Sequence, residues 1–130
     1  MAYITNPYKT QIIEVSVTAA ANAGVTTLAT ITTQPCLIKS IVIHANTAQT
    51  SDMTSCAIEG GTSQVVEFIS TTDAIQANLS AADEQVGWYG AVRLAATKTI
   101  TIDLQGTGAT AVDLTIAIEY EACADCGYLA

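Results

Sequence analysis

His44 is the only histidine in the chain, and it closes the apolar run Ile41-Val42-Ile43 with Ala45 and Asn46 behind it. As a general base it needs a nucleophile and an orienting carboxylate. No Gly-x-Ser-x-Gly elbow supplies them, so the expectation is a strand-end histidine satisfied by a backbone partner. A single histidine also falls short of the multi-histidine ligand sets of catalytic zinc. The carboxylates form no Asp-x-Asp-x-Asp-Gly calcium loop, and the side chains of adjacent Asp83 and Glu84 would diverge on a strand. They read as solvated strand faces, and nothing in their spacing indicates a glycosidase pair. Gly106-Thr107-Gly108 has the look of a phosphate loop, but alternating strand follows it where a phosphate site needs a helix N-terminus. It reads as a hairpin connector.

The cysteines are Cys36, Cys56, Cys123 and Cys126. Cys123-Ala124-Asp125-Cys126 has the gap of a zinc knuckle or a redox pair, which makes Cys123 and Cys126 weak metal candidates. A full zinc site wants a second such pair, whereas Cys36 and Cys56 would have to converge in space. A redox motif belongs at a helix start in a βαβ unit, and no such unit is evident. Buried thiols, free thiols and disulfides formed outside a reducing compartment all stay open, and no metal or other cofactor is expected. In Gly87-Trp88-Tyr89-Gly90 the adjacent rings must project to opposite faces of a strand. An exposed pair would make a sugar platform; the favoured arrangement has Trp88 as a core anchor and Tyr89 at an edge or interface.

The elements that would hold these residues show a period of two. From Ala111 to Glu121, Val112, Leu114, Ile116, Ile118 and Tyr120 point one way while Asp113, Thr115, Ala117 and Glu119 point the other. Ile100, Ile102 and Leu104 alternate just before, and the short Gly-containing join Gln105 to Thr110 predicts a hairpin between the two runs. Ile13, Val15 and Val17 repeat the period near the start, and Val25 to Ile31 does so less cleanly. Leu37 to Ala45 is almost continuously apolar, which predicts a central strand covered on both faces. Ser55 to Glu59, Val65 to Ser70 and Val86 to Leu94 are further strands, with breakers between them at Asn22-Ala23-Gly24, Gln34-Pro35, Asn46 to Asp52 and Gly60-Gly61. About eight short strands at roughly ten-residue intervals predict an all-β antiparallel sandwich. Segment 73–86 departs from this: Ile75, Leu79, Ala82 and Val86 have near-helical spacing, and Ser80 with Asp83 resembles a capping box. It reads as a short helix or a long loop across one end.

Composition narrows the function. Half of the 130 residues are hydrophobic and 12% are charged, which is a folding chain of one domain and not a disordered one. The formal net charge is -8, and Lys9, Lys39, Arg93 and Lys98 are scattered, so neither nucleic acid nor an anionic membrane is an expected partner. No stretch approaches a membrane span, and Met1 to Pro7 lacks the pattern of a signal peptide. Residues 1–11 read as an N-terminal arm, 12–122 as the sandwich and 123–130 as a cysteine-containing tail. The N-terminal segment, with Tyr3, Ile4, Pro7 and Tyr8, reads either as an arm that makes assembly contacts on a neighbouring subunit or as a frayed terminus.

An Ala- and Thr-rich domain with a Tyr/Pro-containing arm before Ile12, the run Val92 to Ile102 and a long final strand Ala111 to Glu121 resembles the small jelly-roll-like capsid decoration or cement proteins of tailed bacteriophages. That resemblance implies a non-catalytic structural protein. It is made in the host cytoplasm, sits on the virion surface, forms a homo-oligomer (a trimer above all) and binds the major capsid protein or other virion proteins. The Cys123-x-x-Cys126 tail is a departure that the family does not require. A filament or adhesin subunit using strand addition and a carbohydrate-binding module using Trp88 and Tyr89 are the competing readings.

Overall fold

A computed structural model of the chain describes residues 10–18, 24–106, 112–123 and 128–129. Its strands are β1 (Thr10–Val17), β2 (Gly24–Thr32), β3 (Cys36–Ala45), β4 (Met53–Gly60), β5 (Val66–Ile69), β6 (Gln85–Leu94), β7 (Thr99–Gly106), β8 (Leu114–Ala122) and the two-residue β9 (Tyr128–Leu129). They form a four-stranded sheet in the order β1-β8-β3-β6 and a five-stranded sheet in the order β5-β4-β7-β2-β9. The protein is an all-β antiparallel sandwich with the strand order of a jelly roll. Among the described residues, β4 and β5 are the only chain neighbours that pair with each other. Every other connection between successive strands steps from one sheet to the other.

The dry face of each amphipathic strand meets its counterpart across the sandwich. Ile38, Ile41 and Ile43 of β3 and Ile116 and Ile118 of β8 are fully buried, as are Ile31, Ile58, Ile100 and Ile102 from the other sheet. Each such side chain contributes roughly 1.5–3 kcal/mol of transfer free energy. The alternation read for Val112 to Tyr120 is the observed burial pattern. The poorer alternation near Val25 has a cause: β2 slips register against β7 between Thr27 and Ala29, so Leu28 and Ala29 are both buried.

Two expectations are corrected, and one open alternative is decided. The hairpin predicted between the Ile100 to Leu104 run and the Val112 to Tyr120 run does not form, because β7 pairs with β2 and β4 while β8 pairs with β1 and β3. Two strands with one dry face each can pair side by side or pack face to face, and alternation alone does not distinguish these. Strand β3 is central, but its outer face is open: Leu37, Val42 and His44 are only half-buried. Of the two readings for segment 73–86, a short helix or a long loop, the loop is the one that forms. It contains one 3-10 turn at Gln76–Leu79, and β6 begins at Gln85. Leu79 is buried but Ile75 is 44% exposed, so the near-helical spacing does not put its apolar residues on one buried face. The capping acid is also different, since the Ser80 N–H donates to Glu84 Oε2 at 2.8 Å and not to Asp83.

The C-terminal segment returns to the second sheet, where Tyr128 and Leu129 pair with Thr32 and Ile31 of β2. The buried Tyr120 hydroxyl accepts a hydrogen bond from the Leu129 backbone. Burial pushes the Tyr120 phenol up; that hydrogen bond partly offsets it, and the nearby Cys36 thiol adds to it.

Candidate functional site

The outer face of the first sheet is a grid that the strand register defines. Following the pairings from β1 through β8 and β3 to β6, one row reads Ser16, Thr115, His44, Gln85 and the next Glu14, Ala117, Val42, Gly87. A third reads Ile12, Glu119, Ser40, Tyr89, and the last Thr10, Glu121, Leu37, Arg93. Lys39 is the extra residue of a bulge in β3, and its Nζ lies 3.4 Å from Glu121 Oε2. Both groups are partly solvated, so that pair contributes little.

At the His44 end of the grid, Glu14, Val42, His44, Asn46, Gln85, Thr115 and Ala117 line a shallow depression. The ring is held by side chains and not, as expected, by the backbone. His44 Nδ1 is 3.0 Å from Asn46 Oδ1 and Nε2 is 3.2 Å from Asp83 Oδ1. The Asn46 amide in turn donates to Asp113 Oδ1 and Thr115 Oγ1, each at 3.0 Å. An oxygen faces each ring nitrogen, and the Thr115 hydroxyl addresses Asn46 instead of the ring. The arrangement ties the ends of β3 and β8 to the 80–84 loop. Asp83 holds a positive φ of 70° to reach the ring. Neither Asn46 nor Asp83 is legible as a His44 partner in the sequence, since one lies too close for a strand neighbour and the other comes from a loop 39 residues away.

Trp88 and Tyr89 split as the pleat requires. Trp88 turns inward, half-buried against the core, with its ring edge-on to Phe68 at 4.8 Å. Tyr89 is 87% exposed on the outer face. A two-ring sugar platform is therefore not formed. Trp88→Ala is expected to lower the unfolding free energy by about 2 kcal/mol, half-burial reducing the usual core value. Tyr89→Ala should change it by less than about 0.5 kcal/mol. Urea denaturation of the two variants checks this, and equal losses would contradict the inward and outward assignment.

Cys36 and Cys56 are buried free thiols that face different carbonyls, those of Gln34 and Ala74, each at 3.8 Å. Burial raises the Cys56 thiol to about 12 and, with the neighbouring Cys123, the Cys36 thiol to about 11. Both stay protonated and unreactive at neutral pH. Cys123 is exposed and also free, its N–H bonded to the Pro35 carbonyl at 3.0 Å. Cys126 and the arm residues Tyr3, Ile4, Pro7 and Tyr8 lie outside the described residues. Among the described residues no three His, Cys, Asp or Glu side chains are placed to hold a metal ion. On the outer face of the second sheet Glu59 lies opposite Glu67 and near Asp103. Burial and then repulsion from Asp103 and Glu67 raise its carboxyl, which marks this face as acidic and solvated.

No protein-family model matches the chain, and no curated protein sequence matches it. Among solved structures it is similar to a chain in the acidic stable capsid structure of the Helicobacter pylori bacteriophage KHP30. The TM-score is 0.59 and the match covers 92% of each chain, at 8% sequence identity. That likeness is one of fold.

Proposed function

We propose that the chain is a structural virion protein that decorates or cements a phage capsid through protein contacts, without catalysis, as a closed homo-oligomer on the virion surface. The observation that carries this reading is a jelly-roll likeness running nearly the whole length of both chains, to a chain of a phage capsid structure. An open sheet face with Ile12, Leu37, Val42 and Tyr89 among its polar residues, and the Glu59, Glu67 and Asp103 cluster on the opposite face, agree with it. One offers area for assembly, and the other keeps the particle soluble. The partner is the major capsid protein or another virion component, and residues 1–11 are the proposed contact arm, with Tyr3, Ile4, Pro7 and Tyr8 as its anchors.

The test is incorporation into the parent particle. Deleting residues 1–10 removes only Thr10 from β1, so the sandwich should remain folded by circular dichroism while binding to particles falls at least about tenfold, the loss of roughly 1.4 kcal/mol or more of contact energy. Unchanged incorporation would remove the arm from the reading. Failure of the full chain to bind particles at all would remove the decoration role itself.

A further inference from the structure

Strands β1 and β6 are the two edges of the same sheet, and among the described residues their backbones are its open sides. The exposure of Gly87 and Gly90 on β6 reports backbone directly, because neither residue has a side chain. We propose that the β1 edge of a second copy of this chain pairs with β6, so that the four-stranded sheet continues from one copy into the next. This rests on the assembly role proposed above only in expecting the series to close into a ring.

Four observations point to that pairing. First, β1 is antiparallel to β8, β8 to β3 and β3 to β6, so β1 and β6 run in opposite directions. A second copy rotated about an axis along the strands therefore lays its β1 antiparallel to β6, the geometry that a ladder needs. Second, rotation without translation keeps each row of the grid level, which sets the register. Ile12 of the second copy meets Tyr89, Glu14 meets Gly87 and Ser16 meets Gln85. Ile12 and Tyr89, 63% and 87% exposed, are the two large hydrophobic side chains exposed on this sheet face among the described residues, and they stand on the same row at opposite edges.

Third, the same register works on the inner face. Ile13 and Val15 of β1, and Val86, Trp88 and Val92 of β6, are core side chains left only partly covered. Pairing places Ile13 beside Trp88 and Val15 beside Val86, so each edge covers what the other leaves open. Fourth, charge favours unlike edges. β6 contains no carboxylate and carries Arg93, whereas β1 carries Glu14. In a chain of net charge -8, β6 is the long edge that an acidic neighbour approaches without repulsion. Pairing β1 with its own copy would bring two Glu14 side chains together.

A contact between two different edges is heterologous, and it closes into a ring only if the rotation closes. The experiment is sedimentation or light-scattering mass of the full chain and of three variants: Ile12→Lys, Tyr89→Glu and the two combined in one chain. Both side chains face solvent in the single copy, so the variants should keep the wild-type fold by circular dichroism. The wild type should be a closed oligomer, a trimer in the decoration reading. Each single variant should weaken association at least about tenfold, by setting an unpaired charge into the contact. The combined variant should restore it, because the introduced ammonium of one copy then faces the introduced carboxylate of the next. A monomeric wild type, an Ile12→Lys variant that associates normally, or a combined variant without recovery would each overturn the pairing. An open-ended polymer would support the contact and overturn the closed decoration reading. A closed oligomer that fails to bind particles would leave the contact standing and remove the decoration role.

Discussion

Gly106→Ala is expected to cost about 4 kcal/mol or more, enough to unfold a marginal domain of this size. Gly106 ends β7 at φ 132°, a backbone region that side chains rarely occupy. A Cβ there would stand 2.0 Å from the Asp52 carbonyl oxygen, 3.0 Å from its carbon and 3.1 Å from Met53 Cα. Every one of those atoms is backbone, held because Met53 pairs with Gly106 across the β4–β7 ladder. No side-chain rotation relieves the overlap. Gly24 provides the control: its φ is 120°, but nothing lies within 4 Å of where its added methyl would stand. Gly24→Ala should therefore cost only the conformational strain, about 1–2 kcal/mol. Urea unfolding midpoints for the pair separate overlap from strain, and similar losses would show that the β4–β7 end yields easily.

Gln49 carries the second large effect. Its side chain is 3% exposed, and its amide donates to the Thr47 carbonyl at 2.8 Å and the Asp113 carbonyl at 3.4 Å. Its Oε1 accepts from the Asp113 N–H at 3.3 Å. Its backbone N–H donates to Leu79 at 2.9 Å, and its carbonyl accepts from the Gln76 amide. One residue thus joins three connections at the His44 end of the sandwich. Gln49→Ala leaves the part-buried Asp113 N–H without this acceptor and should cost about 2 kcal/mol. Gln49→Glu keeps the shape but replaces the donor with a negative oxygen facing two carbonyls, and should cost more at neutral pH. The sign with pH follows: the folded state holds that carboxyl protonated more tightly than the unfolded chain does, so its pKa is raised on folding. The Gln49→Glu deficit should shrink as pH falls through that raised value, while the Gln49→Ala deficit stays flat. A Gln49→Glu variant as stable as wild type at neutral pH would contradict the bonding described.

These two residues mark the limit of sequence reading in this chain. Gly106 reads as part of a connector, and its demand for glycine comes from a backbone that approaches from β4, about fifty residues away in the chain. Gln49 lies in what reads as a polar breaker, and its burial depends on loops that only the closed sandwich brings together. The same holds for the His44 ring, whose partners Asn46 and Asp83 meet it by topology. In contrast, the split of Trp88 and Tyr89 was legible, because the pleat alone sends adjacent side chains to opposite faces.

Sequence by itself determined most of the strand content, the dry face of the cleanly alternating strands β1, β7 and β8, and the all-β class, since period-two alternation in a Thr-, Val- and Ile-rich chain is a local property that each segment carries independently. The tertiary structure decided which strands are neighbours. It sent β7 and β8 to different sheets and made β1 and β6 the open edges of one sheet. It also left β3 covered on one face only. The physical reason is that apolar burial rewards any arrangement that removes dry faces from water, whereas pairing order is set by the global closure of two sheets, which no single run of residues encodes.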